Sequence, residues 1–97
     1  MTFDELFKII ENRKKKSIKN SYIASLFNRG RDSILQKVGE EAVEVIISGK
    51  KNNKKEIIAE ISDLLFHVLI LLSFFNIKPI EILNEFERRK KINISQK

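Results

Sequence analysis

The sequence predicts an all-α fold: a small helical bundle whose core helices pack antiparallel and whose burial is completed by oligomerisation. Three observations predict it. Apolar residues recur at helical spacing along most of the 97-residue chain. No stretch alternates apolar and polar residues with the period of a strand. Helix start and stop signals recur between the periodic segments.

The elements follow in order. Thr2 and Glu5 form a capping-box pattern ahead of an apolar stripe of Phe3, Leu6, Phe7, Ile9 and Ile10, so a first helix is expected to end near Arg13. Residues 14–20 are polar and basic and read as a loop. Ser21 caps a short second helix carrying Tyr22, Ile23, Leu26 and Phe27, and Gly30 closes it. Asp32 or Ser33 starts a third helix that runs to about Ser48, with Gly49 as its stop signal. Gly39 lies inside that helix, where glycine costs on the order of 1 kcal/mol relative to alanine; a partner helix or ligand approaching closely would account for it. A polar turn, residues 50–53, leads into a fourth helix over residues 54–75. Its first half is amphipathic and its second half is apolar nearly all round, which implies burial on every side. So short a chain buries only a modest share of its surface, so a homodimer or higher homo-oligomer is expected across this helix. Pro79 falls at the first position of a last helix, which carries Ile82, Leu83 and Phe86 and ends in Arg88, Arg89, Lys90 and Lys91. The tail, residues 92–97, is expected to fray. The whole chain, residues 1–97, reads as a single domain.

Composition narrows the function. With no cysteine, disulfides and thiolate-metal sites are excluded, and any metal must be held by oxygen ligands with His67 as the one available imidazole. The N-terminus lacks the pattern of a secretory signal, so a cytoplasmic protein is expected. The apolar run of residues 64–77 is shorter than the roughly 20 residues of a membrane span and contains His67, Ser73 and Asn76, so no membrane partner is expected. The net charge of +6 attracts anions, but the lysines lie at loops and helix ends, and no nucleic-acid partner is expected.

The informative feature is the distribution of acids. Glu40, Glu41 and Glu44 lie on the third helix, and Glu60 and Asp63 on the fourth. Glu41 and Glu44 share a helix face at i, i+3, as do Glu60 and Asp63, and His67 follows Asp63 by one turn. Antiparallel packing would bring the two acid pairs to one seam. Acids spaced this way are ordinarily a solvated face. Here they border the apolar stripes, and a hard divalent cation such as Mg2+, bridging to substrate phosphates, would offset their repulsion.

The run Glu40-Glu41-x-x-Glu44 followed by Glu60-x-x-Asp63 resembles the signature of the all-α, MazG-like nucleotide pyrophosphohydrolases. Ser21, Tyr22, Leu26, Gly30, Lys37, Gly39, Leu64 and His67 stand where the phosphoribosyl-ATP pyrophosphatase family has them, and the resemblance runs from about Phe3 to Arg88. Isoleucine at Ile23 and phenylalanine at Phe66 depart from the family's usual threonine and tyrosine. The resemblance implies hydrolysis of phosphoribosyl-ATP to phosphoribosyl-AMP and pyrophosphate in histidine biosynthesis. It implies Mg2+ held by Glu41, Glu44, Glu60 and Asp63, with Glu40 as a further ligand or directly behind the ligands, and a carboxylate of the set as base. Lys37 then contacts a phosphate or merely pairs with Glu41; His67 binds substrate, orients Asp63 or is hydrogen-bonded in place; Ser21 and Tyr22 touch the nucleotide or serve as cap and core. Two rivals remain: a MazG-like enzyme acting on ordinary or damaged nucleoside triphosphates, and a non-catalytic module binding nucleic acid through its lysines.

Overall fold

The computed structural model describes residues 1–16 and 21–90. It contains five helices: α1 (Phe3–Lys15), α2 (Tyr22–Arg29), α3 (Arg31–Lys51), α4 (Lys54–Phe74) and α5 (Pro79–Lys90). No strand occurs among the described residues.

Local signals set most of the boundaries. Thr2 Oγ1 accepts the Glu5 amide at 3.1 Å while Glu5 Oε1 accepts the Thr2 amide at 3.0 Å, so both donors at the start of α1 are satisfied reciprocally. Ser21 Oγ accepts the Ala24 amide and starts α2. Gly30 sits at φ 97, where an L side chain would be strained, and serves as both the end of α2 and the start of α3.

Two expectations need correction. The first helix continues past Arg13 to Lys15, so Lys14 is helical rather than part of a loop. Its ammonium donates to the Ser73 carbonyl and to Asn76 Oδ1, which gives that extra turn a tertiary anchor. The third helix begins at Arg31 and runs through Gly49 to Lys51; Asn52, in the left-handed conformation at φ 56, ends it instead. Asparagine tolerates that conformation, and the Asn53 side chain then caps α4 by accepting the Glu56 amide. A Cβ added at Gly39 would meet nothing within 4 Å among the described residues, so that side of α3 is open. Lys91 and the tail over residues 92–97 lie outside the described residues.

The two-residue link makes α3 and α4 a helical hairpin, and this is the most extensive helix pair in the molecule. The core gathers at one end of it: Ile34 from α3 with Leu69 and Ile70 from α4, closed by Phe7 and Ile10 of α1 and Leu26 of α2. A polar latch crosses the same end. Buried Ser73 donates its hydroxyl to the Glu11 carboxylate, and Lys14, its ammonium over the Phe27 ring, holds the Ser73 carbonyl near the end of α4. α5 contributes no buried residue. By length and hydropathy α4 as a whole is sufficient to cross a membrane. The same helix carries Glu60 and Asp63 and supplies His67, Leu69, Ile70 and Ser73 to the bundle interior.

Candidate metal and phosphate site

The hairpin brings acids together a few turns from its closed end. Glu41 from α3 meets Glu60 and Asp63 from α4, with one carboxylate oxygen of each within 4.8 Å of the others. Glu60 and Asp63 share a face of α4, and antiparallel packing lays Glu41 against it. Three anionic oxygens at this separation repel. Burial first, then the charges of Asp63, Glu44, Glu41 and Glu56, hold the Glu60 carboxyl above its ordinary range. A hard divalent cation is the species such a donor set fits: oxygen ligands only, from two rigid helices, with open positions toward solvent.

The other sequence-predicted acids are placed differently. Glu44 is exposed and lies outside the converging trio, but it is near enough for its charge to act on Glu60. Glu40 is exposed and committed elsewhere. Gln36 donates to it at 2.9 Å and Lys37 pairs with it at 3.4 Å, and these two bonds, the amide first, hold its carboxyl below the ordinary range.

Lys37 also pairs with Glu41 at 3.5 Å, so the lysine lies beside the trio at its edge. Burial pulls the Lys37 ammonium down, but the Glu40 bond together with the charges of Tyr22, Glu40 and Glu41 outweighs it and leaves the group above its ordinary value. His67 is buried with both ring nitrogens engaged: Nδ1 lies 2.7 Å from the Asp63 carbonyl and Nε2 lies 2.7 Å from the Tyr22 hydroxyl. A carbonyl only accepts, so Nδ1 carries the proton, and in the neutral ring Nε2 accepts from Tyr22. The imidazole therefore ties α2 to the main chain at Asp63 and does not reach the Asp63 carboxylate. Phe66 stacks on Tyr22 and meets His67 edge-on, which fixes both rings. Ser21 is spent on capping α2.

One residue escaped the sequence reading. Burial raises the Tyr22 hydroxyl above its ordinary value, and among the charges acting on it, Lys37 and Arg29 oppose that shift while Glu41 and Glu40 reinforce it. Arg29 thus shares the side of the molecule that bears the acids. Its spacing of seven residues from Tyr22, two turns along one helix, was the available signal.

The phosphoribosyl-ATP pyrophosphohydrolase family matches the chain over residues 3–90, which includes every residue of this site. The chain belongs to that family. Individual members agree. A phosphoribosyl-ATP pyrophosphatase of Geobacter sulfurreducens is 50% identical over 84 residues, covering 87% of this chain and 78% of the relative. One of Clostridium acetobutylicum is 44% identical over 93 residues, 96% of this chain and 84% of the relative. A bifunctional histidine-biosynthesis protein of Caldanaerobacter subterraneus is 47% identical over 88 residues, and there the match spans 91% of this chain but 43% of the relative. Family members thus occur both alone and as part of a longer chain.

Proposed function

We propose that this protein hydrolyses phosphoribosyl-ATP to phosphoribosyl-AMP and pyrophosphate, a step of histidine biosynthesis, using magnesium held by the carboxylates of α3 and α4. The convergence of Glu41, Glu60 and Asp63 in a chain of this family is the observation that carries the reading. The relatives' names favour phosphoribosyl-ATP over ordinary nucleoside triphosphates as substrate.

Glu41, Glu60 and Asp63 would hold the metal. Bound there, magnesium would neutralise charge on the triphosphate oxygens and so favour attack on the α–β anhydride. Glu44 stands beside the trio and has no hydrogen-bond or ion-pair partner among the described residues, and we assign it the proton of the attacking water, with occasional ligand duty. Glu40 works at one remove: it holds Lys37 at the rim, where that ammonium faces incoming phosphate. Tyr22 and His67 fix the floor between α2 and α4, and Ser21 sets where α2 begins, so these three shape the nucleotide pocket.

The reading includes a second copy of the chain. Exposed Leu35, Val43 and Ile46 form a stripe on α3 that passes over Gly39, and exposed Ile58, Ile61 and Leu65 form one on α4. Ile46 and Ile58 are 60% and 57% exposed. Gly39, open on this stripe, offers the close approach that a partner helix needs. A homodimer built on these stripes, working in the cytoplasm where histidine precursors are made, is the assembly we assign. Ile58→Asp should shift sedimentation from dimer to monomer, and an unchanged sedimentation coefficient would dispose of this face as the contact.

The activity is tested by pyrophosphate release from the purified protein, with magnesium or with EDTA, on phosphoribosyl-ATP beside a panel of ordinary nucleoside triphosphates. Magnesium-dependent release from phosphoribosyl-ATP is expected. Release from the ordinary triphosphates alone would move the protein to the housekeeping branch of the superfamily.

A further inference from the structure

Phosphoribosyl-ATP carries anions at both ends. The triphosphate lies on one side of the purine, and a ribose 5-phosphate lies on the other. The metal site takes only the first, so the proposed activity, on which this inference rests, leaves a remote monophosphate to be recognised by the protein itself.

Among the described residues, one pocket suits it. Beyond Tyr22 and His67, away from the acids, lies a shallow pocket of about 410 Å³ lined by Arg29, Arg31, Asp32, Phe74 and Phe75. Two observations put it on the acid-bearing side. Tyr22 and Arg29 share a face of α2, and the Tyr22 hydroxyl bonds His67. Arg29 also acts through space on that hydroxyl, as do Lys37 and Glu41. Eleven residues separate Asp63 from Phe74, a rise of roughly 16 Å at 1.5 Å per residue, the scale of a purine with a sugar on either side.

The charges in the pocket are unequal. Arg31 Nε is paired with Asp32 at 3.1 Å, so those two largely cancel. Arg29 has no acidic partner among the described residues; its one bond is a long 3.5 Å contact to Ser25 Oγ. A guanidinium fork left uncommitted fits a phosphate's oxygens in two parallel bonds. Phe74 and Phe75, edge to face at 5.3 Å, form an apolar wall beside it on which a sugar or base can lie.

We propose that Arg29 binds the remote 5-phosphate of phosphoribosyl-ATP and so sets the preference for this substrate over ATP. Recognition is divided: the acids and their metal read the triphosphate, which every nucleoside triphosphate has, and Arg29 reads the phosphate that ATP lacks.

The test compares wild type with Arg29→Met, which keeps the length and apolar stem of the side chain, and with Arg29→Lys, which keeps the charge but loses the fork. Two quantities are read for each: the ratio of kcat/KM on phosphoribosyl-ATP to that on ATP, and the ratio of inhibition constants of phosphoribosyl-AMP and AMP. Both preferences should shrink about ten- to a hundredfold in Arg29→Met, the size of one charge-assisted hydrogen-bond pair, and less in Arg29→Lys. Equal losses on both members of each pair would overturn the proposal, since Arg29 would then act on the shared triphosphate or on the fold. So would an Arg29→Met protein whose preferences match wild type. A wild-type protein that leaves phosphoribosyl-ATP intact would overturn the activity itself, and this inference with it.

Discussion

The two halves of α4 are built for different work. From His67 onward the helix is buried or half-buried: Leu69 and Ile70 enter the core, and Ser73 and His67 are inside with their side-chain polar atoms partnered. Up to Leu65 the helix presents Glu60 and Asp63 to an opposing acid and leaves Ile58, Ile61 and Leu65 exposed. One continuous helix thus has a half stabilised by its own chain and a half for which a cation and a second copy are the partners we propose. The lesson is one of division. The core half supplies stability, and the half nearer the α3–α4 turn keeps unfavourable contacts that binding would relieve.

Substitutions in the two halves should therefore separate activity from stability. The largest effect is expected at Asp63→Ala. It removes one of three converging oxygens and should lower turnover by at least about a hundredfold, the loss typical when a group that stabilises transition-state charge is deleted. Helical content should be unchanged and thermal stability equal or higher, because a like charge has been withdrawn from Glu60. An active Asp63→Ala protein, still dependent on magnesium, would break the comparison at once.

Ile70→Ala is the converse. Ile70 is fully buried between α1, α2 and α3, and truncating such a residue costs about 2–5 kcal/mol through lost burial and the cavity left behind. In a domain this size that lowers Tm by at least about 10 °C. At temperatures where the variant remains folded, kcat should stay near that of wild type. A thermal denaturation curve and one assay temperature decide it; a variant that keeps its Tm but loses turnover would place the core in the chemistry.

How far this division was legible in the sequence depends on the physics behind each feature. Caps are local, so Thr2, Ser21 and Gly30 announced their roles by identity and spacing. Periodicity is local too, and the five helices and the antiparallel hairpin followed from it. The ends of α1 and α3 did not. Lys14 is held in the helix by atoms of Ser73 and Asn76, some sixty residues away, and no window around residue 14 contains them. Gly49 and Asn52 both suit a helix end, and the choice between them falls to the geometry of the turn into α4. At the site, spacing brought Glu41, Glu60 and Asp63 together, because helical hairpins convert i, i+3 patterns into facing pairs. Spacing alone did not tell Glu44 from Glu41, nor show that Glu40 is held by Gln36 and Lys37. Those distinctions depend on helix rotation about the seam. Arg29 was passed over because a lone arginine before a glycine has the pattern of a surface helix end.

A pH series sharpens the comparison from the electrostatic side. Glu60 holds its proton more tightly than an ordinary glutamate because of burial and four neighbouring carboxylates. Its sign is that of a raised acid: the contribution to the fold is fully present below the ordinary value of 4.5 and is lost as pH rises through the raised one. Magnesium binds the ionised form, so the rise in Tm on adding magnesium should grow from acid pH toward neutrality and then level off. Glu60→Gln should flatten that growth. A magnesium effect on Tm that is absent, or that does not depend on pH, would remove Glu60 from the ligand set.

The smallest effect is expected far from both halves, on α5. Glu85 accepts two bonds from Arg88, at 2.9 and 2.6 Å, and one from Arg89 at 2.9 Å, and these, Arg88 first, push its carboxyl down to about 2. The sign is opposite to that of Glu60. A lowered acid contributes above its ordinary value of 4.5, and the contribution is lost as pH falls toward about 2. The cluster is solvent-exposed and sits at the end of a helix that buries nothing, so water and salt screen it. Glu85→Gln should thus leave turnover at the wild-type level and slightly reduce helicity near neutral pH. The two helicity curves should converge on acidification. A Glu85→Gln protein with impaired turnover would mean that α5 reaches the site in the assembled enzyme, where a second copy of the chain would have to carry it.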